Sequence, residues 1–131
     1  MLANAPVTTI LPVRDMSRAR EYYEETLGLT PRGLGADGKF LFSCGGGGTL
    51  ALFQRETATK ADHTAISFEV GDIVAKVHEL EGRGVVFNDY DLPGLRTVDH
   101  VCVLGSEKAA WFNDPDGNIL CLHEVISPRD V

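Results

Sequence analysis

Lysine and arginine are scarce and scattered along this chain: 12 of its 131 residues are basic against 19 acidic, a net charge of −7, and no basic run occurs. Nucleic acid and an anionic membrane surface are therefore excluded as partners, because both are held by clustered Lys and Arg. No apolar segment approaches the ~20 residues needed to span a bilayer. Near the N-terminus Pro6 and Pro12 interrupt the first apolar stretch and no long apolar run follows, so no signal peptide is expected. Cysteine is also sparse. Cys44, Cys102 and Cys121 are odd in number and not closely spaced, which excludes a disulfide framework and fits free thiols in a reducing compartment; a cytoplasmic protein is expected. What the chain does have is apolar content, 44% of its residues, enough for a real core in one domain of ordinary size.

That content is arranged twice over. From Val7 and again from Thr64 the chain reads as an alternating strand, an aspartate, then an amphipathic helix that stops at a glycine. With Asp15 set over Asp72, Thr9, Leu11 and Val13 share one strand face, as do Ile66, Phe68 and Val70. The spacing predicts a helix from Met16 to about Leu27, ended by Gly28, and a second from Ile73 to about Glu81, ended by Gly84. Strands are expected next at Pro31 to Leu34, Lys39 to Cys44 and Thr49 to Gln54, and in the second half at Val85 to Tyr90, Ala109 to Asn113 and Ile119 to Glu124. Asp114 to Asn118 forms a hairpin turn, and the long connection from Asp91 to Lys108 carries one further short strand within Val98 to Leu104. The polar segment Arg55 to Asp62 is a linker, so the chain is one domain of two βαβββ modules, about residues 6–54 and 63–126. Each module alone would be marginal.

Three motifs look chemical and read as ordinary. Gly33-Leu34-Gly35-Ala36-Asp37-Gly38 fits G-x-G-x-x-G, yet that pattern needs a helix starting in its glycines, and Lys39-Phe40-Leu41-Phe42 is a strand. The glycines at 45–48 lack a following Lys-Ser or Lys-Thr and form a hairpin turn. Asp99-His100 suggests a dyad, but adjacent residues on an extended segment point to opposite faces.

The two βαβββ halves, Leu11-Pro12-Val13-Arg14-Asp15 ahead of Glu21-Tyr22-Tyr23-Glu24-Glu25-Thr26-Leu27-Gly28-Leu29, and Ala110-Trp111-Phe112-Asn113-Asp114-Pro115-Asp116-Gly117-Asn118 together resemble the vicinal oxygen chelate superfamily of glyoxalase I, bleomycin-resistance proteins, extradiol dioxygenases and fosfomycin-resistance transferases. The resemblance runs from about Pro6 to Val125. It implies an α+β fold, the glyoxalase/bleomycin-resistance/dihydroxybiphenyl-dioxygenase fold, in which mixed sheets curl around a cavity with the first and last strands of each module parallel and adjacent. It also implies the ligand positions of the metal-dependent members, which fall here on Thr8, Ala51, Ala65 and Cys121. A hydroxyl is a poor ligand for a divalent ion and alanine is none, so no metal site and no cofactor are expected. His63 and His123 stand two residues from Ala65 and Cys121, but displaced toward opposite strand ends by roughly 13 Å, too far to share an ion. Both read as polar wall or strand-end residues, and Cys121 as a buried, inert thiol.

If residues 114–118 form the turn, Asn113 pairs with Ile119, Phe112 with Leu120 and Trp111 with Cys121, which turns Trp111 to the open face of the sheet and Phe112 under the helix. The candidate ligand-binding set is Trp111, Cys121, His63, Phe53, Phe42, Ser67, Glu69 and Ala51, beside Ile10, Pro12 and Phe40. No catalytic residue stands out. An aromatic, largely neutral lining suits a small, flat, partly aromatic organic ligand. The expectation is a metal-lacking binding protein of the bleomycin-resistance type acting by sequestration; the alternative is a glyoxalase-like lyase or isomerase, or a transferase, with an atypical or metal-free site. Open sheet edges, and the pairing of modules across chains that the resemblance implies, make a homodimer the expected state.

Overall fold

Asp15 and Asp72 do the same work in the two halves of the chain. Each sits in extended backbone and accepts a hydrogen bond from the amide three residues on, Arg18 N and Ala75 N, both at 3.1 Å. Each so satisfies one of the amides that a helix start leaves unpaired. The helices they open are α1, Met16–Glu21, and α2, Ile73–Glu81. A computed structural model describes residues 1–57 and 59–126. They divide into two compact units, one of Met1–Lys60 with Pro115–Asn118, the other of Ala61–Asp114 with the chain from Ile119 onward.

In the first unit β1 (Thr8–Val13), β2 (Thr30–Leu34), β3 (Phe40–Ser43) and β4 (Thr49–Gln54) form a sheet in the order β1-β4-β3-β2, with β1 and β4 parallel and the rest antiparallel. Leu11, Val13, Leu50 and Leu52 are buried and alternate with residues of the other face. Beyond Glu21 the helix widens: Leu27 N donates to Tyr22 O and Leu29 N to Tyr23 O, each at 2.9 Å, in place of a regular last turn. Tyr23, within this turn, is fully buried, its ring centroid 5.6 Å from Tyr22 and 6.1 Å from Phe42. The G-x-G-x-x-G match is a turn followed by β3, closed by Gly35 N to Lys39 O at 2.7 Å.

The loop 115–118 is held against the end of β1. Asp116 Oδ1 accepts from Arg14 N at 2.8 Å and from Arg18 Nη2 at 3.5 Å, and Asn118 Nδ2 donates to Pro12 O at 3.0 Å. Asp116 and Asn118 are buried, so this segment is more than an exposed hairpin turn.

The second unit repeats the plan. Strand β5 (Thr64–Glu69) runs parallel to β11 (Ile119–Val125), which pairs antiparallel with β10 (Glu107–Asn113), and β6 (Phe87–Asn88) closes the order β5-β11-β10-β6. Helix α2 contributes Ile73, Val77 and Leu80 to a core with Phe87, Ala110, Phe112, Leu120 and Leu122. Each such apolar side chain contributes about 1.5 to 3 kcal/mol on burial. Glu124 reaches from β11 to the helix start, where Ile73 N donates to its Oε1 at 2.8 Å.

The stretch from Val85 to Tyr90 pairs only at Phe87–Asn88. The connection after it holds, besides the expected strand, here β9 (Cys102–Leu104), a hairpin of β7 (Asp91–Leu92) and β8 (Leu95–Arg96) that the sequence reading did not include. Gly94 makes its turn with φ 77°, a left-handed backbone that glycine adopts without strain. No helix among the described residues is long and apolar enough to cross a membrane.

Candidate ligand-binding face

The β10–β11 register is Asn113 with Ile119, Phe112 with Leu120 and Trp111 with Cys121, as expected from the turn. Alternation then assigns the two faces. Phe112, with no exposed surface, packs edge-on against Phe87 at 5.3 Å on the α2 side. Trp111 turns to the opposite face, half-buried, and meets the Tyr90 ring at 5.5 Å and 89°.

On that face the parallel partner strand brings polar groups together. Cys121 lies opposite Ser67 and His123 opposite Glu69. Ser67 Oγ is 2.6 Å from His123 Nδ1, and His123 Nε2 is 3.6 Å from Glu69 Oε1. Glu69 is 72% exposed and the histidine 23%. Beside them Asn88 Nδ2 donates to Asn113 Oδ1 at 2.7 Å. Cys121 is buried, and burial pushes its thiol pKa up, against the smaller opposing effect of the Ser67 hydrogen bond; its Sγ–H donates to Leu122 O at 3.2 Å. A buried, protonated thiol is neither a ready nucleophile nor a metal ligand.

Of the candidate residues, the structure groups Trp111, Cys121, Ser67 and Glu69. Ala51 and Phe53 lie in the first unit on β4, opposite Ile10 and Pro12 and on the face away from α1. Phe42 does not belong with them. It pairs with Leu50, is fully buried and packs on Tyr23, so it is a core residue under the first helix, and Phe40 shares its side with the Arg20 guanidinium 3.9 Å over its ring. His63 also stands apart, exposed and ahead of β5, four residues before the partner of Cys121, about 13 Å along the strand.

Three members of the face were absent from the sequence set: His123, Tyr90 and Asn88. A signal for His123 existed, since it follows Cys121 by two on the same strand face. What hid its role was the pairing of β5. The register shifts between Ile119 and Leu120, which face Thr64 and Ile66, so Ala65 is an extra residue in a bulge and everything after it moves up by one. That shift puts Ser67 beside Cys121 and Glu69 beside His123. Asp99 and His100 are not extended either; both take positive φ, 51° and 71°, and His100 Nδ1 lies 2.9 Å from Asp89 Oδ1 rather than forming a dyad with its neighbour.

A family model for the glyoxalase/bleomycin resistance protein/dioxygenase superfamily matches residues 5–122. The chain belongs to this superfamily. Comparison with curated proteins returns no match. Among solved structures, a protein named for the glyoxalase family from Bacillus anthracis is similar over 93% of this chain and 95% of its own, with a TM-score of 0.73 at 19% identity. The antibiotic binding protein TnmS3 from Streptomyces sp. CB03234 is similar at 24% identity over 95% and 98%, TM-score 0.69. A mutant of the fosfomycin resistance protein FosX from Listeria monocytogenes, complexed with Mn(II) and dihydroxypropylphosphonic acid, is similar at 13% identity over 94% and 90%, TM-score 0.68. These likenesses support the α+β fold with mixed sheets.

The metal of the metal-dependent members does not fit the residues found here. Thr8, Ala51 and Ala65 offer one hydroxyl and two methyl groups, and Cys121 offers a buried thiol whose proton is engaged by Leu122 O. Among the described residues no group of three or more His, Cys, Asp or Glu is placed to hold an ion.

Proposed function

We propose that this superfamily member binds a small, partly aromatic organic molecule on the Trp111 face of its second unit and acts by holding it, without chemistry at a metal. One observation carries the reading: a half-buried tryptophan and tyrosine, set edge to face, stand beside the hydrogen-bonded Ser67–His123 pair and the Glu69 carboxylate, on the side of the sheet that no helix of the unit occupies. Half-exposed aromatics next to a few fixed polar groups are what flat organic ligands use for stacking and orientation. The similarity to an antibiotic binding protein supports the same reading. Ala51 and Phe53 remain candidate contacts, the protein is read as cytoplasmic from its free thiols, and as a homodimer, which sedimentation tests.

Two measurements test the reading. Trp111 is the only tryptophan, so its emission reports occupancy directly when a panel of flat aromatic compounds is titrated. Protein purified without chelator should carry well under one equivalent of Ni, Zn, Fe or Mn; stoichiometric metal that survives dialysis would overturn the reading. A second reading, a lyase, isomerase or transferase with a metal-free site, is favoured by the 2.6 Å Ser67–His123 contact, which is suited to proton transfer. It requires turnover that is lost in Ser67→Ala and His123→Ala.

A further inference from the structure

The strands that carry Trp111 place charges of one sign beside it. On that side of the sheet β5 places Glu69 and β10 places Glu107, and none of the residues that β5, β10 and β11 place there is Lys or Arg. Lys108 is on the other side of the sheet, 3.8 Å from Glu124, and Arg96, on β8 beyond Tyr90, is paired with Asp91 at 3.0 Å.

Acceptors are prominent as well. Glu69 can only accept, and its Oε1 lies 3.6 Å from His123 Nε2, outside hydrogen-bond reach, so its carboxylate keeps lone pairs open to a ligand. Ser67 Oγ is engaged with His123 Nδ1 at 2.6 Å. The thiol proton of Cys121 is spent on Leu122 O. What Glu69 turns toward a ligand is therefore lone pairs and negative charge, next to the aromatic rings of Trp111 and Tyr90, whose faces attract cations.

We infer that the occupant is an aromatic molecule carrying a hydrogen-bond donor next to its ring, a protonated amine above all, and that carboxylates and phosphonates are turned away. This rests on the Trp111 face being the binding site. Three probes with one ring system separate the two ideas: naphthylmethylammonium, naphthylmethanol and naphthoate, titrated calorimetrically into the intact protein in mildly alkaline buffer of low ionic strength. The expected order is ammonium, then alcohol, then carboxylate, with roughly tenfold between the first and last from partly exposed charges. Glu69→Gln, an exposed and nearly isosteric change, should weaken the ammonium about three-fold and leave the alcohol unchanged, while Trp111→Ala should weaken all three. Naphthoate binding as tightly as the ammonium, with both lost in Trp111→Ala, overturns the inference while the binding site stands. Ammonium binding that neither substitution changes places the ligand elsewhere and overturns the inference, and no measurable binding of any probe overturns both.

Discussion

The two neighbouring aromatics of β10 give the sharpest test, because one step along the strand exchanges the core face for the proposed ligand face. Phe112 has no exposed surface, pairs with Leu120 and packs on Phe87 at 5.3 Å. Its truncation in Phe112→Ala loses the transfer energy of the ring and leaves a cavity, about 3 to 5 kcal/mol. Against a total stability of ~5 to 15 kcal/mol this is a large share. In heat it corresponds to a fall of roughly 12 to 20 °C in Tm. Trp111 is half-buried, and its well-defined partner is the Tyr90 ring at 5.5 Å. Trp111→Ala should cost only about 1 to 2 kcal/mol, the aromatic pair and part of the burial. Urea unfolding followed by far-ultraviolet circular dichroism gives both numbers without a tryptophan signal, and unchanged slopes show that the midpoints report stability. Affinity for an aromatic ligand should fall by ~1 to 3 kcal/mol in Trp111→Ala, and change little in the milder Phe112→Leu. If Trp111→Ala destabilises as much as Phe112→Ala and leaves affinity intact, the faces of β10 are exchanged and the site must be rebuilt around Phe112.

Asp116→Ala removes the buried acceptor of Arg14 N at 2.8 Å and should lower stability by about 1 to 3 kcal/mol in the same urea assay; an unchanged midpoint would show that the loop is held by other contacts. Asp72→Ala deletes the cap of α2 and should cost roughly 1 kcal/mol, with the helical circular dichroism signal checking that the helix persists. Burial raises the Cys121 pKa, so the folded protein holds that proton more tightly than the unfolded chain. Its contribution to stability is complete below the ordinary thiol value of 9.0 and is lost as pH rises through the folded value. The urea midpoint should therefore fall as pH climbs past 9.0, and fall less steeply in Cys121→Ala; equal slopes for the two proteins would refute the assignment.

Features set by local chemistry were legible in the sequence. Asp15 and Asp72 are capping residues wherever they precede an amphipathic run, and the turn at residues 114–118 fixes which residues of β10 and β11 oppose each other, so the faces of Trp111 and Phe112 followed from counting. Features that depend on tertiary pairing were not. Nothing in Glu21 to Leu27 announces that the helix widens there, or that Tyr23 packs against Phe42 on another strand. Phe42 alternates with Leu41 and Ser43, and which of the two faces meets the helix was open until β3 was paired with β4. The short pairing of β6 and the hairpin at Pro93-Gly94 likewise depend on what lies alongside them.

The polar part of the site belongs to this second class. Parallel strands share no turn, so their register is not written between them in the way a hairpin's is. Equating Ala65 with Cys121 was the simplest alignment, and it set Ser67 rather than Glu69 opposite His123. In the structure Ser67 stands opposite Cys121 and Glu69 opposite His123, two residues off that alignment, with Ser67 Oγ 2.6 Å from His123 Nδ1. Ser67→Ala leaves the register intact and should weaken a donor-bearing probe by about 0.5 to 1.5 kcal/mol, one hydrogen bond's worth. Equal affinity in Ser67→Ala and the parent protein would mean that the Ser67–His123 contact orders the sheet and never touches the ligand.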